Sequence, residues 1–328
     1  MDNKHHMERV LVTGATGLLG GWLVRALLER ECSVVVLVRD PEPQSELYRS
    51  GLIQRTHIVV GQLEEYAVVA RAINEYEVDT VFHLGAQTIV GHARRSPLQT
   101  FESNIRGTWN LLEACRLHPA MVRAIVVASS DKAYGDQATL PYTEQMPLQG
   151  RYPYDVSKSC TDLITQSYYA TYQLPVAIAR CGNIYGGGDL NWSRIVPGTI
   201  RSLLQHQAPV IRSNGRLKRD YVYVQDVVQA YLLLAEAIND DQVRGEAFNF
   251  SLQQPLRVDE MVWLIMKLFG TTEVEPMILN QAVAEIVDQY LDSTKARSRL
   301  GWRPTYSLEA GLRETISWYQ AFLSGAAA

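Results

Sequence analysis

The sequence predicts an α/β fold, a doubly wound parallel sheet followed by a smaller C-terminal α/β unit. Three observations predict it. Short apolar runs alternate with amphipathic stretches through the first half of the chain. A glycine-rich turn joins the first run to the first amphipathic stretch. After Cys181 the alternation gives way to shorter elements behind the loop Gly186-Gly187-Gly188.

Taken in order, Arg9 to Thr13 (RVLVT) is a short apolar run that stops at glycine, as a parallel strand buried on both faces does. Leu18 to Arg30 follows with Leu19, Leu23, Ala26 and Leu27 on one helical stripe. Ser33 to Val38 (SVVVLV) is the second strand. His57 to Val60, Thr80 to Leu84, Ala124 to Ala128 and Pro175 to Arg180 continue the series. The intervening helices are predicted over Glu64 to Glu75, Pro97 to Leu117 and Tyr154 to Tyr172. Later helices are predicted at Ile195 to Leu204, Gln225 to Ile238, Val258 to Leu268 and Leu308 to Phe322. Residues 7–182 are expected to form one domain and 183–324 a second, with the chain re-entering the first around Asp220 to Ile238. The opening MDNKHHM has no apolar core for a secretory leader. It is set outside the fold as a frayed leader, and the final three alanines as a frayed tail.

Composition narrows the function classes. A chain of 328 residues is long enough for two domains or one large α/β unit. Its 47% hydrophobic and 20% charged residues exclude a disordered or fibrous protein. The net charge of −4 gives no general footprint for nucleic acid. No apolar run approaches the ~18 residues of a membrane helix. Cys32, Cys115, Cys160 and Cys181 are widely spaced, which suits reduced thiols in a cytoplasmic protein. No His or Cys spacing suggests a metal site.

The turn Thr13-Gly14-Ala15-Thr16-Gly17-Leu18-Leu19-Gly20 lies between the first strand and the first helix. Glycines there let the backbone approach a pyrophosphate, and the helix N-terminus presents free N–H groups to its charge. A structural turn is the competing reading of a GxxGxxG spacing. The strand before and the helix after favour a dinucleotide site of the Rossmann type. The second strand ends Val38-Arg39-Asp40. Asp40 suits the ribose 2′-OH of NAD, and Arg39 suits the 2′-phosphate of NADP. Because Arg39 comes first, NADP is slightly favoured.

Tyr154 and Lys158 stand at i and i+4, on one face of a predicted helix. Ser130 follows the strand Ala124 to Ala128, whose C-terminal end should face the ligand crevice. The three can converge. A Tyr is a poor base at its ordinary pKa near ~10. A neighbouring ammonium and an oxidised nicotinamide would make its phenolate accessible, while the Ser hydroxyl orients the reacting oxygen. His83, at a strand end, reads as a structural or backbone-capping residue.

With TGATGLLG, HLGAQ (His83 to Gln87), SSDKAYG (Ser129 to Gly135), YPYDVSK, NIYGGGD (Asn183 to Asp189) and LGWRP (Leu300 to Pro304), the chain resembles an extended short-chain dehydrogenase/reductase. The triplet Ser130-Asp131-Lys132 with GGGD is most similar to nucleotide-sugar 4,6-dehydratases of the CDP-glucose type. The resemblance implies a tightly bound NAD(P) that is regenerated in each cycle. Its contacts would be Thr13, Gly14, Thr16, Gly17, Leu18, Leu19, Gly20, Arg39, Asp40, Gln62, Leu63, Leu84, Ala86, Tyr154 and Lys158. Gln62 stands where related proteins often carry Asp. The substrate, a nucleotide-diphosphate sugar, would meet Gln87, Asn183, Trp192, Arg194 and Arg219. Packing is the competing role for Trp192 and Arg194, and a solvated hairpin is expected for the charged run Arg212 to Arg219. The implied mechanism has Tyr154 remove the O4 proton as hydride leaves C4. The 4-ketone acidifies C5–H, Asp131 protonates the departing C6 hydroxyl, and the hydride returns to C6. Many relatives carry Asp-Glu where this chain has Asp131-Lys132. Lys132 therefore stands either as the C5 base, which requires its neutral form, or as an electrostatic stabiliser of the enolate. A surface ion pair is the competing reading of Asp131-Lys132.

A 4-epimerase or ketoreductase on the same scaffold is the second reading, since it needs only Ser130, Tyr154 and Lys158. A non-catalytic dinucleotide-binding regulator is the third. In related proteins the helices Pro97 to Leu117 and Tyr154 to Tyr172 build a four-helix dimer interface, so a homodimer is expected. No nucleic-acid or membrane partner is expected.

Overall fold

The computed structural model describes residues 4–271, 274–281 and 285–325. Seven parallel strands form the main sheet. Its order across the sheet is Ala247–Phe250, Val176–Cys181, Ala124–Ala128, Thr80–His83, Arg9–Thr13, Ser33–Val38 and His57–Val60. The first strand thus lies between the fourth and the second, and the strand order reverses there. A ligand crevice opens at such a switch, outside the C-terminal strand ends. The register aligns those ends, with Thr13 beside His83, His83 beside Val127, and Ala128 beside Ala179.

Strand alternation divides the core. Val10, Val12, Val34, Val36 and Val38 face one side, against the helices Leu18–Glu29 and Val224–Glu236. Leu11, Val35 and Leu37 face the other, against Tyr66–Glu75 and Gly107–Arg116. A third cluster, including Tyr185, Ile200, Tyr221, Met261, Leu312 and Tyr319, gathers the later helices Ile195–Leu204, Val258–Phe269 and Leu308–Leu323.

Several expectations are corrected. The main sheet has a seventh strand, Ala247–Phe250, which pairs in parallel with Val176–Cys181. Its sequence AFNF carries a polar Asn among apolar residues and does not read as an isolated buried run. The helix expected from Pro97 to Leu117 is interrupted by a π turn at Glu102–Arg106. The charged run after Arg212 is not a hairpin. Lys218–Arg219 pairs antiparallel with Leu256–Arg257 and parallel with Asp288–Gln289, strands remote in sequence. The opening segment is not frayed from residue 4 onward. Met7 enters the core, and the buried His5 ring shares a 2.7 Å hydrogen bond with Thr80 Oγ1. The tail expected at Ala326 to Ala328 lies outside the described residues.

Candidate active site

The crevice is a cavity of about 1090 Å³ above the strand ends. That is at the upper end for small-molecule sites and has room for more than one ligand moiety. The glycine-rich turn forms one wall, with Gly14, Thr16, Gly17, Leu18, Leu19 and Gly20 on the lining. Gly14 has φ +72°, and a Cβ there would stand 2.8 Å from the Gly85 nitrogen. A Cβ on Gly20 would collide with the Gly14 carbonyl. These close approaches place the N-terminus of the helix Leu18–Glu29 directly at the cavity, with no side chain capping its N–H groups. Thr13 lies beneath. Its Oγ1 accepts from the Leu84 and Gly85 N–H groups at 3.1 and 3.0 Å, which holds Leu84 and Ala86 at the lining.

His83 is fully enclosed below this turn. Thr108 gives its hydroxyl proton to the Asn104 carbonyl at 2.6 Å, so His83 Nε2 donates to Thr108 Oγ1. Nδ1 then accepts from Thr13 Oγ1 at 2.9 Å. Burial, with the Lys158 charge second, lowers the His83 pKa to about 3 and keeps the ring neutral. The residue is structural, as expected, but its partners are two hydroxyls rather than backbone groups.

The strand Ala124–Ala128 delivers Ser130 to the cavity. Ser130 caps a short 3-10 turn, Asp131–Tyr134, by accepting from the Lys132 N–H at 3.2 Å, and its hydroxyl donates to Asp131 Oδ1 at 3.0 Å. Asp131 is buried and its Oδ2 has no partner. Burial raises its pKa from the ordinary carboxylate value, although the Lys132 charge and the Ser130 hydrogen bond pull the other way. Pro at the first turn starts the helix Pro153–Tyr172, which carries Tyr154 and Lys158 one turn apart. Ser130, Asp131, Lys132, Tyr154 and Lys158 all line the same cavity.

The electrostatics differ from the expectation in one respect. Burial pushes Tyr154 up to about 12, and the leading charge opposing that is Arg194 rather than Lys158. Lys158 donates to the Ala128 carbonyl at 2.7 Å, and burial lowers its pKa to about 8. The phenol is therefore held protonated by the protein alone.

Arg94, Arg95, Arg194, Arg212 and Arg219 also line the cavity, which favours an anionic ligand despite the acidic chain. Asn183 reaches the lining with a buried Nδ2 that has no partner. Arg194 donates to Asp189 Oδ2 at 3.0 Å and to Thr88 Oγ1 at 3.2 Å. Arg219 is already engaged. Its Nη1 donates to the Lys218 and Val287 carbonyls, and its Nη2 to Glu285 Oε2 at 2.9 Å and the Ile286 carbonyl. A diphosphate would have to use Nε or displace Glu285.

Other expected residues lie outside the lining. Trp192 packs its ring against Tyr319 and Phe322, with Arg201 over its face. Gln87 is held through its backbone by Asn104, whose Oδ1 accepts from its N–H at 2.6 Å. Arg39 donates to Asp40 Oδ2 at 2.6 Å, both side chains exposed at the end of Ser33–Val38. Gln62 and the buried Leu63 follow the edge strand His57–Val60.

Sequence reasoning passed over two groups here. Asp155 lies inside the YPYDVSK motif, lines the cavity, and is raised to about 6 by burial. The other is Gln289, which accepts from Lys132 Nζ at 3.1 Å. Asp155 could have been found as the acidic neighbour of Tyr154, whereas nothing local marks Gln289. Among the described residues no group of three or more His, Cys, Asp or Glu is placed to hold a metal ion.

A family model described as GDP-mannose 4,6 dehydratase matches residues 11–315, and the chain belongs to that family. It is 28% identical to a CDP-glucose 4,6-dehydratase of Salmonella typhimurium, over 97% of this chain and 92% of the relative. Among solved structures it resembles a UDP-glucose 4-epimerase from Thermotoga maritima (TM-score 0.87, 27% identity), covering 96% of this chain and 99% of the other. It also resembles a dTDP-glucose 4,6-dehydratase from Streptomyces venezuelae with NAD bound (TM-score 0.85, 26% identity), covering 97% and 98%.

The Asp155 carboxyl generates a pH prediction. Its folded pKa of about 6 exceeds the ordinary 3.8, so the native state binds more protons than the unfolded state between those values. Stability therefore falls as pH rises through this window, and the full penalty persists above it. Asp155→Asn removes the penalty. Urea unfolding should show the variant more stable than the parent near pH ~7.5, on the order of 1–3 kcal/mol, with the gain vanishing near pH ~4. A variant no more stable at the higher pH would refute the assignment.

Proposed function

We propose that this member of the GDP-mannose 4,6-dehydratase family is a nucleotide-sugar 4,6-dehydratase that converts an NDP-hexose, CDP-glucose-like, to the NDP-4-keto-6-deoxyhexose. The observation that carries the reading is Asp131, a buried carboxyl with a free Oδ2 beside Ser130 in the cavity that holds Tyr154. An acid whose pKa burial raises suits breaking the C6–O bond, and 4-epimerisation has no use for one.

The glycine cradle and uncapped helix N-terminus fit a dinucleotide pyrophosphate. When bound, NAD(P) supplies the hydride acceptor for C4 and the donor for C6. Tyr154 takes the O4 proton, assisted by the Ser130 hydroxyl. The phenol needs positive charge beyond what the protein provides, because burial holds it near 12. Lys132 takes the C5 proton at its amine and later returns it. Asp131 gives its proton to the C6 hydroxyl, which leaves as water, and regains one from Tyr154 through solvent. The net change is loss of one water from the sugar. The lining arginines and Asn183 hold the diphosphate and sugar.

Incubation with CDP-, GDP-, UDP- and dTDP-hexoses should yield a product lighter by one water, read by mass spectrometry. Asp131→Asn should leave C4 oxidation near the parent rate and slow elimination by roughly 100-fold. Loss of C4 oxidation in that variant would remove Asp131 from the role. The likeness to a UDP-glucose 4-epimerase supports epimerisation as the second reading. A product of unchanged mass with inverted C4 would establish it instead.

Residues 7–182 are proposed as the cofactor-binding domain and 183–324 as mainly the substrate domain, interleaved with the first. Arg39 supports NADP over NAD. The related Streptomyces structure holds NAD, so parallel titrations should show NADP binding more tightly if the Arg39 reading holds. Exposed Leu98, Trp109, Leu163 and Tyr172 on the helices 97–116 and 153–172 support a homodimer, and sedimentation velocity should return twice the chain mass. Free cysteines, and the lack of a membrane-length apolar helix among the described residues, support a cytoplasmic setting.

A further inference from the structure

Lys132 ends a long, flexible side chain in a cavity with several charges. Asp131 precedes it, and Asp155 faces it from the helix Pro153–Tyr172. Glu285 and Arg219 stand on the segment and strand beyond, and the phenol of Tyr142 is near the same carboxylates. Left to these charges, the amine could turn toward either carboxylate. Instead Nζ donates to Gln289 Oε1 at 3.1 Å.

Gln289 is an unusual residue for its place. It is fully buried on the short strand Asp288–Gln289, in register with Arg219. Its Nε2 is buried without a partner. A buried unpaired amide group is destabilising, a cost that an aliphatic residue of similar size would avoid. Nζ donates to Oε1, so Nε2 is the amide atom left without a partner. Among the described residues, the Gln289 side chain makes one hydrogen bond, to Lys132.

We propose that Gln289 is a positioning residue for the elimination step: it holds the Lys132 amine in the cavity without adding charge. The inference rests on the reading of Lys132 as the group that takes the C5 proton. A neutral acceptor suits that task in both directions. It steadies the ammonium formed when the C5 proton arrives, yet it does not lock the proton on as a further carboxylate beside Asp131, Asp155 and Glu285 would. Fixing one rotamer also removes side-chain entropy from the elimination step.

Three variants, read by kinetics and by NMR, test this. In Gln289→Ala, C4 oxidation should stay within about two-fold of the parent, while elimination and solvent-deuterium entry at C5 slow by about 10- to 100-fold. In Gln289→Glu, the acid limb of the elimination pH profile should move up by about one pH unit. The second readout needs no turnover. In protein with ε-¹³C-lysine, the NMR titration of Lys132 should move up by the same amount in Gln289→Glu. Equal slowing of oxidation and elimination in Gln289→Ala would mark a merely structural residue and overturn the proposal, as would unchanged elimination in both variants. Lys132→Met separates the two claims. If it eliminates at the parental rate, the C5-base reading falls and the NMR titration decides for Gln289: a shift supports the contact, and an unmoved titration overturns it.

Discussion

The buried ion pair between Arg180 and Asp162 is the constraint on which the site geometry depends. Arg180 Nε and Nη2 donate to the two Asp162 oxygens at 2.7 and 2.9 Å, with both side chains almost wholly enclosed. Nη1 donates to Tyr134 Oη at 2.8 Å, and that phenol donates to Asn249 Oδ1 at 2.7 Å. Four pieces of the fold meet here: the strand Val176–Cys181, the helix bearing Tyr154 and Lys158, the turn after Ser130, and the seventh strand. A pair of this kind adds little net stability against an apolar replacement, but leaving one partner alone costs about 3–5 kcal/mol. What it contributes is orientation. It fixes the turn that carries Ser130, Asp131 and Lys132 against the helix that carries Tyr154 and Lys158.

The network has an electrostatic consequence as well. Asp162 lies one helical turn beyond Lys158, and its charge is the leading influence that opposes the loss of the Lys158 proton on burial. Around the cavity, enclosure favours neutral forms throughout, raising Asp131, Asp155 and Tyr154 and lowering Lys158. Such a site favours the acid form at Asp131 and the phenol at Tyr154. An anionic ligand and a cationic ring would alter that balance on binding, so the charge state belongs to the loaded protein rather than to the chain alone.

Local signals were legible where the chemistry is local. Gly14 and Gly20 sit in a turn whose backbone contacts exclude a side chain, and the spacing of Tyr154 and Lys158 is one turn of a continuous helix. Ser130 could be placed because the apolar strand before it ends at the crevice. Signals failed where a residue's meaning comes from a remote partner. Trp192 reads equally as a nucleoside contact or as packing, and its ring packs on the C-terminal helix. Arg219 has the composition of a free phosphate contact, yet its Nη donors are taken by residues 285–287 and 218. His5 and Met7 look like a leader and are buried against the sheet and the helix after it.

The sequence by itself determined the alternation of strands and helices, the glycine turn and the identities of the candidate catalytic side chains. Each of these is written in periodicity or in a spacing of a few residues, and backbone sterics and helical repeat act at that range. The tertiary structure alone decided what surrounds them. It brought Gln289 to Lys132 across 157 positions, set the seventh strand beside Arg180, and enclosed Asp131. Burial and long-range contact set the protonation of these groups, and neither is a property of any short segment.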